Sequence, residues 1–419
     1  MVRQMTRGGS MGAENAAKHE GGAVPAERGT AVRAGGGPLA GIRVADFSIM
    51  MAGPLCTRML ADMGAEVIKI EPPEGDPMRT RAPLRDGHSA YFGHLNVGKR
   101  SVRLDLRTEA GLRAAHDIVT GCDVLVQSFR PGVMAKYGLD EESCRARDER
   151  LVYCSVSGYG TRGPSAHLPA FAQIVHAMSG YDMAAFQYQK DAVRPASCGI
   201  FVADVLGGTV AYAAVLTGLA GRGRTGLGDA LDVSLQESMM SMLIFETQAA
   251  QAPGTWKKTV YRPVRAKDAF LMISPVTERN FRALADAMRR PDLLTDPRFA
   301  AIADRERHWD ELYDEIEEWA ARYTAAEAEE RLLAAGVPSG RYREIAEVLD
   351  DPQTVSRGTM RTAADAAGEF KVTAPPFDAA SRPRTAMPSA VPGLGADTAG
   401  VLRAVARYDD QRIEAVLAG

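Results

Sequence analysis

The stretch PLAGIRVADFSIMMAGPLCTRMLADMGAEVIKIEPP, residues 38–73, decides the fold. Its apolar run from Ile42 to Phe47 is short and rich in β-formers, a loop of small residues follows, and a helical pattern covers about 53 to 63. A second apolar run from Ala65 to Ile70 then completes a strand–helix–strand unit, the connection that joins parallel strands. The pattern recurs downstream. A helical stretch begins after Asp105, the run CDVLVQSF at 122–129 reads as a strand, and LVYCSVSGYG at 151–160 as another. Strands alternating with helices predict a mainly parallel sheet covered on both faces.

Two long Ala-, Met- and Leu-rich stretches follow, Phe201 to Ala220 and Leu231 to Ala250, separated by GRGRTGLGDA. They read as two helices joined by a loop, with a possible strand start at DALDVSL. The segment from Gln251 to Asp268, with its prolines and basic residues, reads as a linker. AFLMISP at 269–275 is a predicted strand, and helices are expected from Glu278, from Asp304 and from Thr324 to Ala335, where Gly336 and Pro338 stop the last. Beyond Asp351 the chain turns Pro- and Ala-rich with few strand signals before a final helix at about 397–418. Residues 1–36 lack periodicity and are expected to form a flexible tail.

At 419 residues the chain is long enough for two or three domains. Its 46% hydrophobic and 25% charged residues exclude a disordered or coiled-coil description of the whole. Fifty Lys and Arg against 53 Asp and Glu give a net charge of -3, so no basic field gathers nucleic acid. No run of eighteen apolar residues lacks a charge or polar break, and the start has no signal-peptide core. A cytoplasmic protein without membrane or nucleic-acid partners is therefore expected. The five cysteines form no CxxC pair, and the seven histidines are scattered without HExxH spacing, so no metal is expected.

In open parallel sheets ligands bind beyond the carboxyl ends of the strands, which directs attention to the first βα junction, DFSIMMAGPLC. Neither GxGxxG nor GxxxxGK[ST] is present, and GxSxG is missing, so dinucleotide, P-loop and serine-hydrolase chemistry lose their support. What remains is a set of cations near predicted loops, Arg79, Arg81, Lys99, Arg100, Arg107, Arg130 and Lys136, each either a solvated surface charge or a phosphate ligand. Asp204, in CGIFVADVLGG, is a lone carboxylate in apolar surroundings at a probable helix start. It is either a helix N-cap or a functional acid.

Eight stretches, taken together, resemble one family. They are residues 38–79, LNVGKRSVRLDLR at 95–107, DVLVQSFRPGVMAKYGL at 123–139, LVYCSVSGYGTRGP at 151–164, 201–240, RPDLLTDPRFA at 290–300, AAGVPSGRYREIAEVLDDPQ at 334–353 and GADTAGVLRAV at 395–405. The chain is similar to the family III coenzyme A transferases, the CaiB/BaiF group with formyl-CoA transferase, carnitine CoA-transferase and alpha-methylacyl-CoA racemase. That resemblance implies an α/β fold with a Rossmann-like large domain of N- and C-terminal segments and an inserted smaller α+β domain, two chains interlocking as a dimer. The corresponding boundaries would be 37–225 for the first part of the large domain, 226–268 for a linker, 269–351 for the small domain and 352–419 for the returning segment. A homodimer is the expectation, with a heterodimer open.

The resemblance also implies the chemistry. The family's nucleophile is an aspartate in a segment like VADVLGG, which here is Asp204, and it carries coenzyme A between an acyl-CoA and a carboxylic acid as an aspartyl-CoA thioester. Coenzyme A, a substrate, would lie along Ile49, Met50, Met51 and Ala52, with Leu104 and Arg107 near its nucleotide and Ser128, Phe129, Lys136 and Tyr137 beyond. Three features depart from the family pattern. Phe171-Ala172 replaces a Tyr or His followed by an acid, and phenylalanine cannot exchange a proton, which disfavours racemase chemistry; Asp182 lies ten positions too late to substitute and reads as a surface acid. The linker after Gln251 lacks a glycine-rich lid, leaving Tyr261, Arg262 and Arg265 as candidates for an acceptor carboxylate. Ala396-Asp397-Thr398 replaces a Glu-His-Thr motif, a change expected to be structural. An acyl-CoA racemase or isomerase and a non-catalytic CoA-binding subunit are the alternative readings, and Met50, Met51 and Phe171 suggest a larger apolar acid as substrate.

Overall fold

The computed structural model describes residues 36–189, 192–252, 254, 258 and 260–418. The expected N-terminal tail therefore lies outside the described residues, save for Gly36. The opening unit forms as its pattern predicts, with β1 at Arg43–Phe47, α1 at Ala52–Asp62 and β2 at Glu66–Glu71. A two-residue hairpin, β3 at Leu84–Arg85 and β4 at His88–Ser89, leads into α2 at Ala90–Asn96. Then come β5 at Arg100–Arg103, α3 at Glu109–Thr120, β6 at Val124–Gln127, α4 at Glu141–Arg147 and β7 at Val152–Ser157. Two short helices, α5 at Ala172–Met178 and α6 at Tyr181–Gln187, precede the long α7 at Val202–Thr225 and β8 at Ala230–Ser234.

Six strands form one parallel sheet in the order β5-β2-β1-β6-β7-β8. Successive residues of each strand face opposite sides, and the two cores divide accordingly. Val44, Val67, Val124 and Val152 pack under α1, α5 and α7, whereas Ala45, Ile68, Leu125 and Tyr153 pack under α3 and the last two helices. From β1 the chain moves outward through β2 to β5, and β6, β7 and β8 then build the other half. The strand order thus reverses between β1 and β6, the crevice where such sheets take ligands.

The remainder encloses its own core. After α8 at Leu235–Met240 and α9 at Ile244–Gln251, the strands β9 at Val264–Arg265, β10 at Phe270–Ile273 and β11 at Ser339–Arg341 pair antiparallel. Helices α10 at Glu278–Met288, α11 at Ile302–Arg307, α12 at Trp309–Ala320 and α13 at Ala325–Ala334 bury Phe281, Leu312, Tyr313 and Trp319 against them. Two single-turn helices, α14 at Ile345–Leu349 and α15 at Pro352–Ser356, lead to a hairpin of β12 at Met360–Asp365 and β13 at Gly368–Thr373. The chain ends in α16 at Thr398–Ala404 and α17 at Asp410–Ala418. This last segment returns to the first: Arg85 holds Asp365 at 2.8 Å, and the Asp397 carboxylate accepts the Ser101 N–H at 2.9 Å. The Thr398 hydroxyl accepts the Arg103 N–H, so the outer edge of β5 is closed by the altered Ala396-Asp397-Thr398 motif.

Several expectations are corrected. The interval 226–268 is not simply a linker, because β8 is a strand of the main sheet and α8 and α9 follow it. Strand β5, RSVR, gives no strand signal because its ends are arginines and only four residues pair. Strand β12, MRTAAD, is too rich in alanine and polar residues to signal a strand, and β13, GEFKVT, has only β12 as its partner. The final helix is two, broken where Arg407 takes a left-handed φ of 59°. Helix α7 is long and apolar enough, by length and composition, to cross a membrane; here one side of it packs against α1, β7 and β8.

Candidate active site

Asp204 stands in the first turn of α7, and the glycines behind it explain why it reaches the crevice. A Cβ on Gly208 would lie 2.6 Å from the Ala52 carbonyl oxygen, and one on Gly207 2.1 Å from the Leu235 side chain. Gly208 therefore lets α7 settle directly on the N-terminal turn of α1 while Gly207 makes room for Leu235 of α8, bringing the residue one turn earlier to the β1–α1 loop. The N-cap reading of Asp204 is overturned. Phe201 is the N-cap residue, no side chain caps the helix locally, and among the described residues the Asp204 carboxylate makes no hydrogen bond or ion pair. Burial in apolar surroundings pushes its carboxyl up to about 6.

A cavity of about 670 Å³ opens over Asp204. Ile49, Met50, Met51 and Ala52 form one wall and Ser128, Phe129 and Arg130 a second, with Val156, Ser157, Phe171, Phe201 and Leu235 among the remaining lining residues. The loop 48–51 is held from several sides. Lys69 donates to the Ser48 carbonyl at 2.8 Å, and the Ile49 N–H donates to the Ser128 hydroxyl at 3.0 Å. Met50 lies between these anchors with φ 67°, a left-handed conformation that side chains other than glycine rarely adopt and that here sits in the cavity wall. No side chain caps the N-terminus of α1 and Pro54 carries no N–H, so the early donors of that helix are those of Ala52, which lines the cavity, and Gly53.

A buried charge network supports the loop. Asp46 accepts from the Ser48 and Thr57 hydroxyls and from Lys99 at 2.9 Å, and Lys69 pairs with Asp76 at 2.9 Å. Burial alone would raise the Asp46 carboxyl, but Lys99 and Lys69 hold it below its ordinary value. Burial also brings Lys99 down to about 8, while Asp46 and Asp76 outweigh it at Lys69 and keep that ammonium up.

The structure sorts the candidate cations. Arg79 is clamped by Glu71 through two contacts of 2.7 Å, Lys99 belongs to Asp46, and Arg100 meets Glu66 at 2.6 Å. Arg81 and Arg130 line the cavity, the first from the β2 side and the second from the β6 side, and neither side chain is engaged by another among the described residues. Of the expected coenzyme A contacts, Ile49, Met50, Met51, Ala52, Ser128 and Phe129 are brought together around Asp204. The other four are not. Leu104 is buried in the core under α3, Arg107 is an exposed side chain paired with Asp105, Lys136 is exposed, and Tyr137 packs on the same core. Tyr261 packs on Trp309, Arg262 on Asp314 and Arg265 over Phe270, so all three are engaged in the small sheet's surroundings rather than in this cavity.

Sequence reading missed two residues. Tyr91 lines the cavity and donates to the Met51 sulfur at 2.6 Å; burial and then the charge of Asp204 push its phenol up. His176, 1% exposed, accepts the backbone N–H of Ala203 at 3.1 Å. The cavity as a whole presents one unpaired carboxylate, a wall of hydrocarbon and cations on two sides, an arrangement suited to acyl chemistry at a carboxylate nucleophile.

The family model CoA-transferase family III matches residues 39–398. The acetyl-CoA:oxalate CoA-transferase of Acetobacter aceti is 34% identical over 334 residues, covering 77% of this chain and 85% of its own. The succinyl-CoA–L-malate CoA-transferase beta subunit of Chloroflexus aurantiacus is 30% identical over 393 residues, covering 90% and 96%. A solved CaiB/BaiF family protein from Brucella suis superposes with a TM-score of 0.77 at 29% identity over 87% of this chain and 98% of that one. The chain belongs to CoA-transferase family III and is an enzyme that transfers coenzyme A.

Proposed function

We propose that the enzyme moves coenzyme A from an acyl-CoA donor to a carboxylic acid through Asp204. The observation that carries the reading is an unpaired, desolvated carboxylate facing a cavity of about 670 Å³ at the strand-order reversal. The Asp204 carboxylate attacks the thioester carbonyl, forming a mixed anhydride and freeing the CoA thiolate. That thiolate attacks the Asp204 carbonyl of the anhydride, releasing the donor acid and leaving an aspartyl-CoA thioester. The incoming acid's carboxylate attacks this thioester and frees the thiolate again, which then attacks the new acyl carbonyl and restores Asp204. No proton or oxidant is consumed. Hydrocarbon from Met50, Met51 and Phe171 limits water at the anhydride stage, and the open N–H groups of α1 are placed to meet the oxyanions.

Arg130, beside Ser128 and Phe129, would face the phosphates of coenzyme A, with Arg107, Lys136 and Tyr137 farther out along the nucleotide. Arg81 would meet a second carboxylate on the acid. Oxalate and malate, named for the two relatives above, both carry one. The Rossmann-like large domain, the small domain at 269–351 and the closing segment at 352–419 fit this reading, as does an interlocked homodimer working in the cytoplasm. A heteromeric assembly, like that implied by the name of the malate relative, is the variant form.

The test is direct trapping. Incubated with an acyl-CoA and then hydroxylamine or borohydride, the enzyme should carry a modification on the peptide containing Asp204. Asp204→Ala should lose at least about 1,000-fold in turnover, in the range seen when a nucleophile is removed, while still binding CoA. Turnover persisting in that variant, or label on another residue, would remove Asp204 from its role. Deuterium entering the substrate's alpha carbon without transfer would point to the racemase reading instead.

A further inference from the structure

The first turn of α7 is poorly held by the chain that leads into it. Residues 192–201 have no regular structure, and Ile200 is 71% exposed. Within the turn, the Val202 N–H bonds locally to the Ile200 carbonyl and the Val205 N–H to that of Phe201. The first donors of a helix have no partners inside it, and no local side chain caps this one. Among the described residues, the only hydrogen bond reaching this turn from another element is the one from Ala203 N–H to His176 Nε2, at 3.1 Å. His176 comes from α5, where it is buried against the Tyr181 ring, centroids 5.6 Å apart. Accepting at Nε2 places the neutral ring's proton on Nδ1.

We infer that His176 is a positioning residue for Asp204: it supplies from α5 the cap that the first turn of α7 lacks, and so fixes the residue immediately after Ala203 against the β1–α1 loop. The inference rests on the transferase reading of Asp204 and adds the group that aims it. The requirement is for an acceptor at the Nε2 position. Glutamine, whose side-chain oxygen can reach the same N–H, meets that requirement; phenylalanine fills the volume and leaves the amide without a partner.

The experiment follows the first half-reaction in the full-length chain. Wild type, His176→Gln and His176→Phe are mixed with an acyl-CoA in the absence of acceptor, and label on the Asp204 peptide is followed in time. CoA dissociation constants are measured separately, and amide exchange is followed on the peptide spanning residues 201–206. His176→Phe should label about 100-fold more slowly, the loss expected from a misplacement near 1 Å, with CoA affinity within about threefold of wild type by the same argument, since CoA meets other walls. Its 201–206 amides should exchange faster. His176→Gln should restore labelling and protection together. Wild-type labelling in the folded Phe variant overturns the inference, as does a Gln variant as slow as Phe. If wild type itself takes no label, the transferase reading fails; unchanged exchange in the Phe variant would then overturn the anchoring role as well, and faster exchange would support it.

Discussion

Asp204 costs the fold stability at neutral pH. Its carboxyl is pushed up to about 6 by burial against an ordinary 3.8, so the native state holds the proton more tightly than the unfolded chain does. The stability this lends is complete below about pH 4 and is lost as pH rises through about 6. At neutral pH the ionised side chain therefore weakens the fold, by at most about 3 kcal/mol. Asp204→Asn should melt higher than wild type at pH 8 and level with it at pH 4, while being inactive; equal melting at both would contradict the assigned cause. In the active enzyme kcat/KM should fall with a single slope below about pH 6, because the nucleophile must be ionised. The sequence marks Asp204 through its apolar, glycine-bounded setting, yet reading alone could not separate cap from acid, since both occupy a helix start. Tyr91 and His176 were invisible for another reason. Their partners lie 40 and 27 residues away, and only the packing of α2 and α5 brings them to the site.

At the scale of elements, the β1–α1 loop works because charges beneath it are paired. Asp46, fully buried, takes hydrogen bonds from Lys99, Thr57 and Ser48, and Lys69 ties the Ser48 carbonyl to the same cluster. Replacing Asp46 with Asn keeps the shape but leaves two buried ammonium groups facing one charge fewer. A loss of about 3 kcal/mol in urea unfolding is expected, as for other broken buried pairs, and a loss under about 0.5 kcal/mol, typical of surface changes, would show that the network is not supporting the fold. The same elements show where sequence reading works. Strands β1, β2, β6 and β7 were legible because both faces are buried and their apolar runs are continuous. Strand β5 was not, because an edge strand needs charge along it, and Arg100 and Arg103 supply that charge.

Viewed as a whole molecule, the chain leaves an apolar surface on the side of α7 away from the sheet. Phe171 is 64% exposed, Ile244 73%, Met178 55% and Val205 46%, all on or beside α5, α7 and α9. Along α7 the open face carries Val205, Thr209, Ala213 and Thr217, so the large apolar side chains of this surface come mainly from the flanking helices. Large apolar side chains left exposed beside a site are the kind of surface a partner subunit covers. The proposed interlocked dimer would cover them, and its cost in separated subunits would be their exposure. Sedimentation should accordingly give about twice the monomer mass at micromolar concentration, the range where interfaces of standard size hold. Ile244→Glu, a charge placed in the patch away from Asp204, should shift the population toward monomer and reduce turnover with it. A wild-type chain sedimenting as a monomer with full activity would leave the exposed face of α7 unexplained and remove the interlocked arrangement from the account.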